Sequence, residues 1–263
     1  MWKFIWGAEV MAIAGYSKFH QFKNLIQSIP SSQLEDIMLD EQFLLEKDEK
    51  KNLDIYYAPF EYVNQKARIL IVGITPGLHQ MKKSFTTVLN AKNQIENDEE
   101  ILRQVKNHSS FEGPMRKNLV HMLDELGLHE YLGLTSTMKL FNEASNIVQT
   151  TSIIPYPVFY KGKNFNGSTP NILKNDMLKK YVTDYFASEM RKLSNPLIIP
   201  LGVNVSNAIN YLADNNLLNV KNFLSGFPHP SGGNGHRHKQ FADNKTHMQK
   251  ILQIHFQNET IST

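Results

Sequence analysis

The clearest pattern in the chain is an unbroken apolar run, Arg68–Gly77 (RILIVGITPG), that ends in Gly-x-x-Pro-Gly. Apolar positions without polar alternation predict a strand buried on both faces, as in a parallel sheet, running into a tight turn. Three further short apolar runs predict strands: Thr150–Ile154 closed by Pro155, Pro196–Leu201 followed by Gly202, and Val220–Leu224. Between the strands the spacing becomes helical. Tyr16–Leu45 reads as helix interrupted at Pro30, with a capping start at Ser31–Glu35. Leu78–Ser110 is polar with helical spacing, and Ile95–Val105 has the acidic start and basic end that suit a surface helix and its dipole. Met115–Leu126 carries Leu119, Met122, Leu123 and Leu126 on one face and stops at Gly127. Leu173–Leu193, Asn204–Leu212 and Phe241–Phe256 complete the predicted helices. Glu46–Lys51 (EKDEKK) reads as a solvated charge run or loop, and Val158–Pro170 as a long Gly- and Asn-rich loop. Strands alternating with helices predict an α/β sandwich with a parallel sheet.

Composition narrows the function classes. At 263 residues, 41% hydrophobic and 20% charged, the chain can bury a sizeable core. The net charge of +3 is compatible with nucleic acid without pointing to it. The absence of cysteine excludes a disulfide framework, a thiolate zinc site, a catalytic thiol and a cysteine-held iron–sulfur cluster. No run approaches the roughly 20 apolar residues of a membrane span. Met1–Gly15 has a faint likeness to a signal peptide, but Glu9 breaks its apolar stretch. A cytoplasmic, monomeric protein is expected.

Candidate chemistry lies in two distant stretches. Gly226–Arg237 (GFPHPSGGNGHR) is too rich in Gly, Pro and His for a periodic element. Its glycines permit close backbone approach, its prolines stiffen it, and His229, Ser231, His236 and Arg237 supply donors. In parallel sheets ligands bind at the carboxyl ends of the strands. Gly73–Gly77, Ser152–Phe159 and Gly226–Arg237 all follow predicted strands, so they are expected to meet over one pocket.

The pair Gly73-Ile74-Thr75-Pro76-Gly77 and His229-Pro230-Ser231, roughly 150 residues apart, resembles the two motifs of the uracil-DNA glycosylase superfamily. The first is most similar to the Gly-x-Asn-Pro-Gly form of the mismatch-specific and single-strand-selective branches. Phe111-Glu112-Gly113 before an amphipathic helix resembles the segment that sets an aromatic ring against a flipped base. The resemblance runs from about Arg68 to Phe256. It implies a three-layer α/β/α sandwich with a central four-stranded parallel sheet over residues 56–263, and leaves residues 1–55 as an N-terminal helical extension packed on that core. It also implies hydrolysis of the bond between a damaged base and deoxyribose in DNA, with no metal and no other cofactor. The base must leave the stack, and donors aimed at the charge that develops on it lower the barrier.

Carried over residue by residue, the resemblance makes Thr75 and His229 the catalytic pair. Thr75 stands where related enzymes hold water with Asp or Asn; a hydroxyl can hold water but is a poor base. His229 would donate to the carbonyl oxygen of the leaving base. Gly73, Ile74, Gly77, Phe111, Ser152 and Asn166 would contact the base. Gly77 replaces a bulky tyrosine of the most uracil-selective branch, which implies a broader pocket. Ser152 matches the position of a base-reading asparagine, with Asn166 as a substitute. Ser231, Gly232, Gly233, Asn234 and Arg237 would contact DNA, with no large wedge among them. Each has a plainer reading: turn bonding for Thr75, a glycine conformation for Gly77, capping for Ser231, core packing for Phe111 or its rival Phe85. Two other functions remain open. His229, His236 and His238 could hold a metal, although no acidic residue lies in the loop. With Thr75 and Ser152 replacing family residues, the chain could also bind DNA or a nucleotide without cutting it.

Overall fold

The structure, a computed structural model, describes residues 17–261. The signal-peptide likeness and the first residues of the expected extension lie outside the described residues. In chain order the main elements are α1 (Ser17–Ser28), β1 (Leu44–Asp48), β2 (Leu53–Tyr56), β3 (Ile69–Gly73), α2 (Leu78–Ala91), α3 (Asp98–Ser109) and α4 (Pro114–Glu125). There follow β4 (Val148–Ser152), β5 (Val158–Tyr160), β6 (Lys163–Asn164), β7 (Leu197–Pro200), α5 (Val203–Asp214) and α6 (Arg237–Ile261). The predicted helix at 173–193 is a chain of shorter turns, in which the Tyr181–Phe186 segment is π-helical.

The central sheet is parallel, in the order β4-β3-β7. Its middle strand is buried at every position. Ile69, Ile71, Leu197 and Ile199 belong to one apolar cluster with α4 and α6 residues such as Leu123 and Met248. Leu70, Val72 and Ile198 belong to another, with Phe85 of α2, Leu102 of α3 and Ile209 of α5. Alternate residues therefore feed opposite faces, and helices cover both.

Two expectations are corrected. The sheet has three parallel strands rather than four. Val220–Leu224 runs along β7 but makes a single parallel bridge, Phe223 to Ile198, with bonds from the Ile198 N–H to the Asn222 carbonyl and from the Leu224 N–H to the Ile198 carbonyl. Lys221 and Asn222 give this segment little apolar area to bury, so pairing stops after one residue. The stretch before residue 56 is also not purely helical. Glu46–Lys51 lies within the β1–β2 hairpin, and β2 pairs antiparallel with β5 from the expected 158–170 loop. The resulting second sheet, β1-β2-β5-β6, could not be read locally, because Leu53 and Ile55 are its sole fully buried positions in β1 and β2.

Phe19, Ile26 and Phe43 share a core with β3. The start of α1 is tied to it by a bond from the Phe19 N–H to Glu61 Oε2 at 3.0 Å. Glu61 Oε1 is buried without a partner. Burial therefore pushes this carboxyl up to about 7. A carboxyl whose folded value is raised stabilises the fold fully at low pH and loses that contribution as pH rises through the folded value. Stability should fall by up to about 3 kcal/mol between pH 4.5 and slightly above 7, and Glu61→Gln should flatten this slope. Urea denaturation at several pH values measures it; an unchanged slope in the variant would assign the effect elsewhere.

Candidate active site

The site begins at the carboxyl end of β3. Its pairing with the chain after β4 continues past the strand, from the Ile153 N–H to the Gly73 carbonyl and from the Ile154 N–H to the Ile74 carbonyl, each at 3.0 Å. A Cβ at Gly73 would lie 2.9 Å from Phe111 Cε1 and 3.4 Å from Ser152 Oγ. Only glycine leaves room for that ring. Gly77 has an ordinary φ of −89°, so its smallness does not serve a left-handed turn. It precedes α2, and its N–H donates to Gln80 Oε1 at 2.9 Å. The Leu78 N–H donates to Asn164 Oδ1 at 2.9 Å, so an amide from β6 caps the helix and covers Gly77.

Phe111 sits at φ +54°, in the left-handed region that a bulky side chain avoids. Strain of this kind costs on the order of 1–3 kcal/mol and is tolerated where the surroundings impose it. Here Arg116 holds the turn, with guanidinium bonds to the Ser110 and Asn107 carbonyls at 2.6 and 3.0 Å. Gly113, at φ +89°, then leads into Pro114 at the first position of α4.

His229 follows the last extended segment. Gly202, at φ +94°, lets the loop close onto the end of β7; a Cβ there would lie 3.0 Å from the Cβ of His229. The Ser231 N–H donates to His229 Nδ1 at 3.4 Å. Desolvation holds the His229 pKa below its ordinary value. The imidazole is therefore neutral near pH 7, with its proton on Nε2, because Nδ1 accepts. Asn234 stiffens the loop by donating to the His229 carbonyl at 3.1 Å and to Gln240 Oε1 at 2.9 Å. Asn118 of α4 donates to the Pro230 carbonyl at 2.8 Å.

These parts surround one cleft of about 910 Å³. Gly73, Ile74, Thr75, Gly77, Phe111 and Asn166 line it together with His229, Ser231, Gly233 and Asn234. Two loops far apart in sequence thus converge. Ser152 is not in this lining. It lies in a small neighbouring cavity of about 20 Å³ bounded by Phe111, Gln80, Lys106 and Thr150. Gly232 and Arg237 are not part of the cleft wall either; Arg237 Nη1 donates to the Asn234 carbonyl at 3.4 Å. Among the described residues, no group of three His, Asp or Glu side chains is arranged to hold a metal ion.

Thr75 lines the cleft with its hydroxyl already engaged. It donates to the Tyr156 carbonyl at 2.6 Å and accepts from the Val158 N–H at 3.2 Å. It thereby clamps the first motif to the segment entering β5. Asn166 Oδ1 accepts from the Ser168 N–H at 3.0 Å, which leaves its amide nitrogen as the free end. Among the described residues, the cleft lining contains no Asp or Glu. Sequence reasoning missed Gln80, Lys106, Asn164 and Gly202. A glycine directly after an apolar run was a usable signal for Gly202, and a lysine beside Val105 on the apolar face of α3 was one for Lys106. Nothing local marks Asn164.

The model of a known family, described as the uracil DNA glycosylase superfamily, matches residues 60–254. The uncharacterized protein YoxB of Bacillus subtilis (strain 168) is 37% identical over 242 residues, which cover 91% of this chain and 94% of that protein. The crystal structure of wild-type SMUG2 from Pedobacter heparinus shares 14% identity at a TM-score of 0.42, covering 88% of this chain and 97% of its own. With the family match spanning most of the chain, including both loops that form the cleft, the protein belongs to the uracil DNA glycosylase superfamily.

Proposed function

We propose that the protein is a monofunctional DNA glycosylase that hydrolyses the N-glycosidic bond of uracil or another deaminated base. The observation that carries this reading is the convergence of the Gly73–Gly77 turn, the Phe111 ring and a neutral His229 on one cleft. An extruded base enters the cleft and stacks on Phe111. The bond from C1′ to the base nitrogen breaks, and its electron pair leaves with the base. Negative charge grows on a base carbonyl oxygen, where the Nε2–H of His229 stabilises it. Water then bonds to the oxocarbenium carbon C1′ and gives up a proton. No metal is needed for any of these steps.

The engaged Thr75 hydroxyl and the lining without a carboxylate support a reading in which catalysis rests on the departing base rather than on a general base. An oxocarbenium carbon is electrophilic enough for unassisted water. Ser231, Gly233 and Asn234 at the rim face the DNA backbone, with Arg237 just outside. The open glycine tip provides no wedge, which favours substrates whose base is already poorly stacked or paired. A second reading, binding without cutting, draws on the same absence of a carboxylate.

Oligonucleotides carrying uracil, hypoxanthine or xanthine, single- and double-stranded, followed by alkaline cleavage, separate the two readings. Release of at least one base is expected; retained DNA binding with no product from any would make the protein a binder. His229→Ala should lower turnover by at least about 10-fold, the scale for losing a charge-stabilising donor. Since neutral His229 is the working form, kcat/KM should not drop as pH falls through 6.5, the ordinary histidine value; a fall centred there would contradict that protonation state. Thr75→Val should cost about 1–3 kcal/mol of stability through two lost bonds while base release stays within about 10-fold of wild type. A loss of about 100-fold in a stably folded variant would return the water-holding role to Thr75.

A further inference from the structure

The small cavity adjoins the cleft, with Phe111 and Gln80 lining both. At about 20 Å³ the cavity accommodates one water-sized group rather than a ring. Its walls are strongly biased in hydrogen-bonding character. Lys106 is 6% exposed, and its ammonium makes one bond, to the Thr150 carbonyl at 2.7 Å. A lysine has three donors and no acceptor. Gln80 commits Oε1 to the Gly77 N–H, so its amide presents the donor end. Ser110 Oγ and Thr150 Oγ1 are bonded to each other at 2.7 Å, and Thr151 Oγ1 donates to Glu189 Oε2 at 2.9 Å. The Ser152 hydroxyl can serve either way and does not discriminate. Burial pulls the Lys106 pKa below its ordinary value, and Glu189 and, more weakly, Glu61 oppose that through space.

We propose that Lys106, assisted by Gln80, determines specificity by accepting into this cavity one oxygen of the flipped base and refusing an amino group. The inference rests on the glycosylase reading and names the feature that its substrates share. Hydrolytic deamination replaces an exocyclic amino group by an oxygen. Cytosine becomes uracil, adenine becomes hypoxanthine and guanine becomes xanthine. An oxygen facing the Lys106 ammonium and the Gln80 amide N–H gains a charge-assisted bond. An amino group facing those two donors would leave groups on both sides unpaired. The Lys106 and Gln80 donors therefore separate uracil from cytosine and hypoxanthine from adenine, where an oxygen replaces the amino group at one ring position; guanine, which already carries an oxygen at C6, falls outside this filter.

The variants are Lys106→Met, which keeps the length of the side chain, and Gln80→Glu, which keeps the helix-capping oxygen and replaces the donor by an acceptor. Two measurements are needed: release from oligonucleotides carrying uracil or hypoxanthine, and binding of free uracil and hypoxanthine against cytosine and adenine by NMR titration. Wild type should prefer the oxo bases. Lys106→Met should lose about 10- to 100-fold for them, the range for one charge-assisted bond, with no loss of DNA affinity. Gln80→Glu should shift in the same direction.

If wild type releases no base, the glycosylase reading fails, and the free-base titration still reads Lys106. A folded Lys106→Met that keeps the oxo preference would overturn the proposal, as would a wild type that binds no free base and releases none. Should Lys106→Met fail to fold, as judged by its melting transition, wild type is assayed with uracil analogues lacking either O2 or O4. One of the two must lose at least about 10-fold; equal handling of both and of uracil would overturn the proposal as well.

Discussion

The site depends on one close approach. The ring of Phe111 lies against the carboxyl end of the central strand at a point where the strand has no side chain. Gly73 makes that possible, since a Cβ there would stand 2.9 Å from the ring edge. The ring in turn requires a left-handed backbone at Phe111, which the Arg116 guanidinium and the Gly113–Pro114 start of α4 sustain. The floor of the cleft is therefore built from a strained turn and a strand end that fit together only with glycine on one side. A buried, two-faced strand is a rigid base for such a contact, because both apolar clusters hold it in place.

A second constraint comes from β4. Where a buried strand of the central sheet would be expected to read as aliphatic, Gln149, Thr150, Thr151 and Ser152 are all buried. The first three are paired with other elements: Gln149 and Thr151 donate to Glu189, the Thr150 carbonyl accepts from Lys106, and the Thr150 hydroxyl is bonded to Ser110. Burying so many polar groups is tolerable only when they are paired. The result is a polar shoulder beside the apolar floor.

The cleft lining also contributes a neutral imidazole. Burial disfavours its charged form, and the Ser231 N–H selects the tautomer. Neutrality matters chemically, since a hydrogen bond to a developing anion stabilises the departing state while leaving the resting site uncharged. Together with the carboxylate-free lining among the described residues, this supports the proposed reading, in which the leaving group is stabilised rather than water activated.

Much of this was legible in the chain. The apolar run at 68–77, the parallel class, the two motif loops and their convergence follow from strand burial and turn chemistry, which are local properties. The hairpin at 44–56 was not legible, because its charged residues resemble a loop until β5 supplies a pairing partner. The fourth strand was over-read for the converse reason: a short apolar pattern does not guarantee more than one bridge. The sequence by itself determined which residue types could reach the cleft. Which of them remain free to act was decided only by the tertiary structure. The Thr75 hydroxyl is claimed by groups 81 and 83 residues away, and Lys106 is drawn inward to a carbonyl 44 residues away. A polar side chain's chemistry is what its partners leave unused, and those partners come from distant segments.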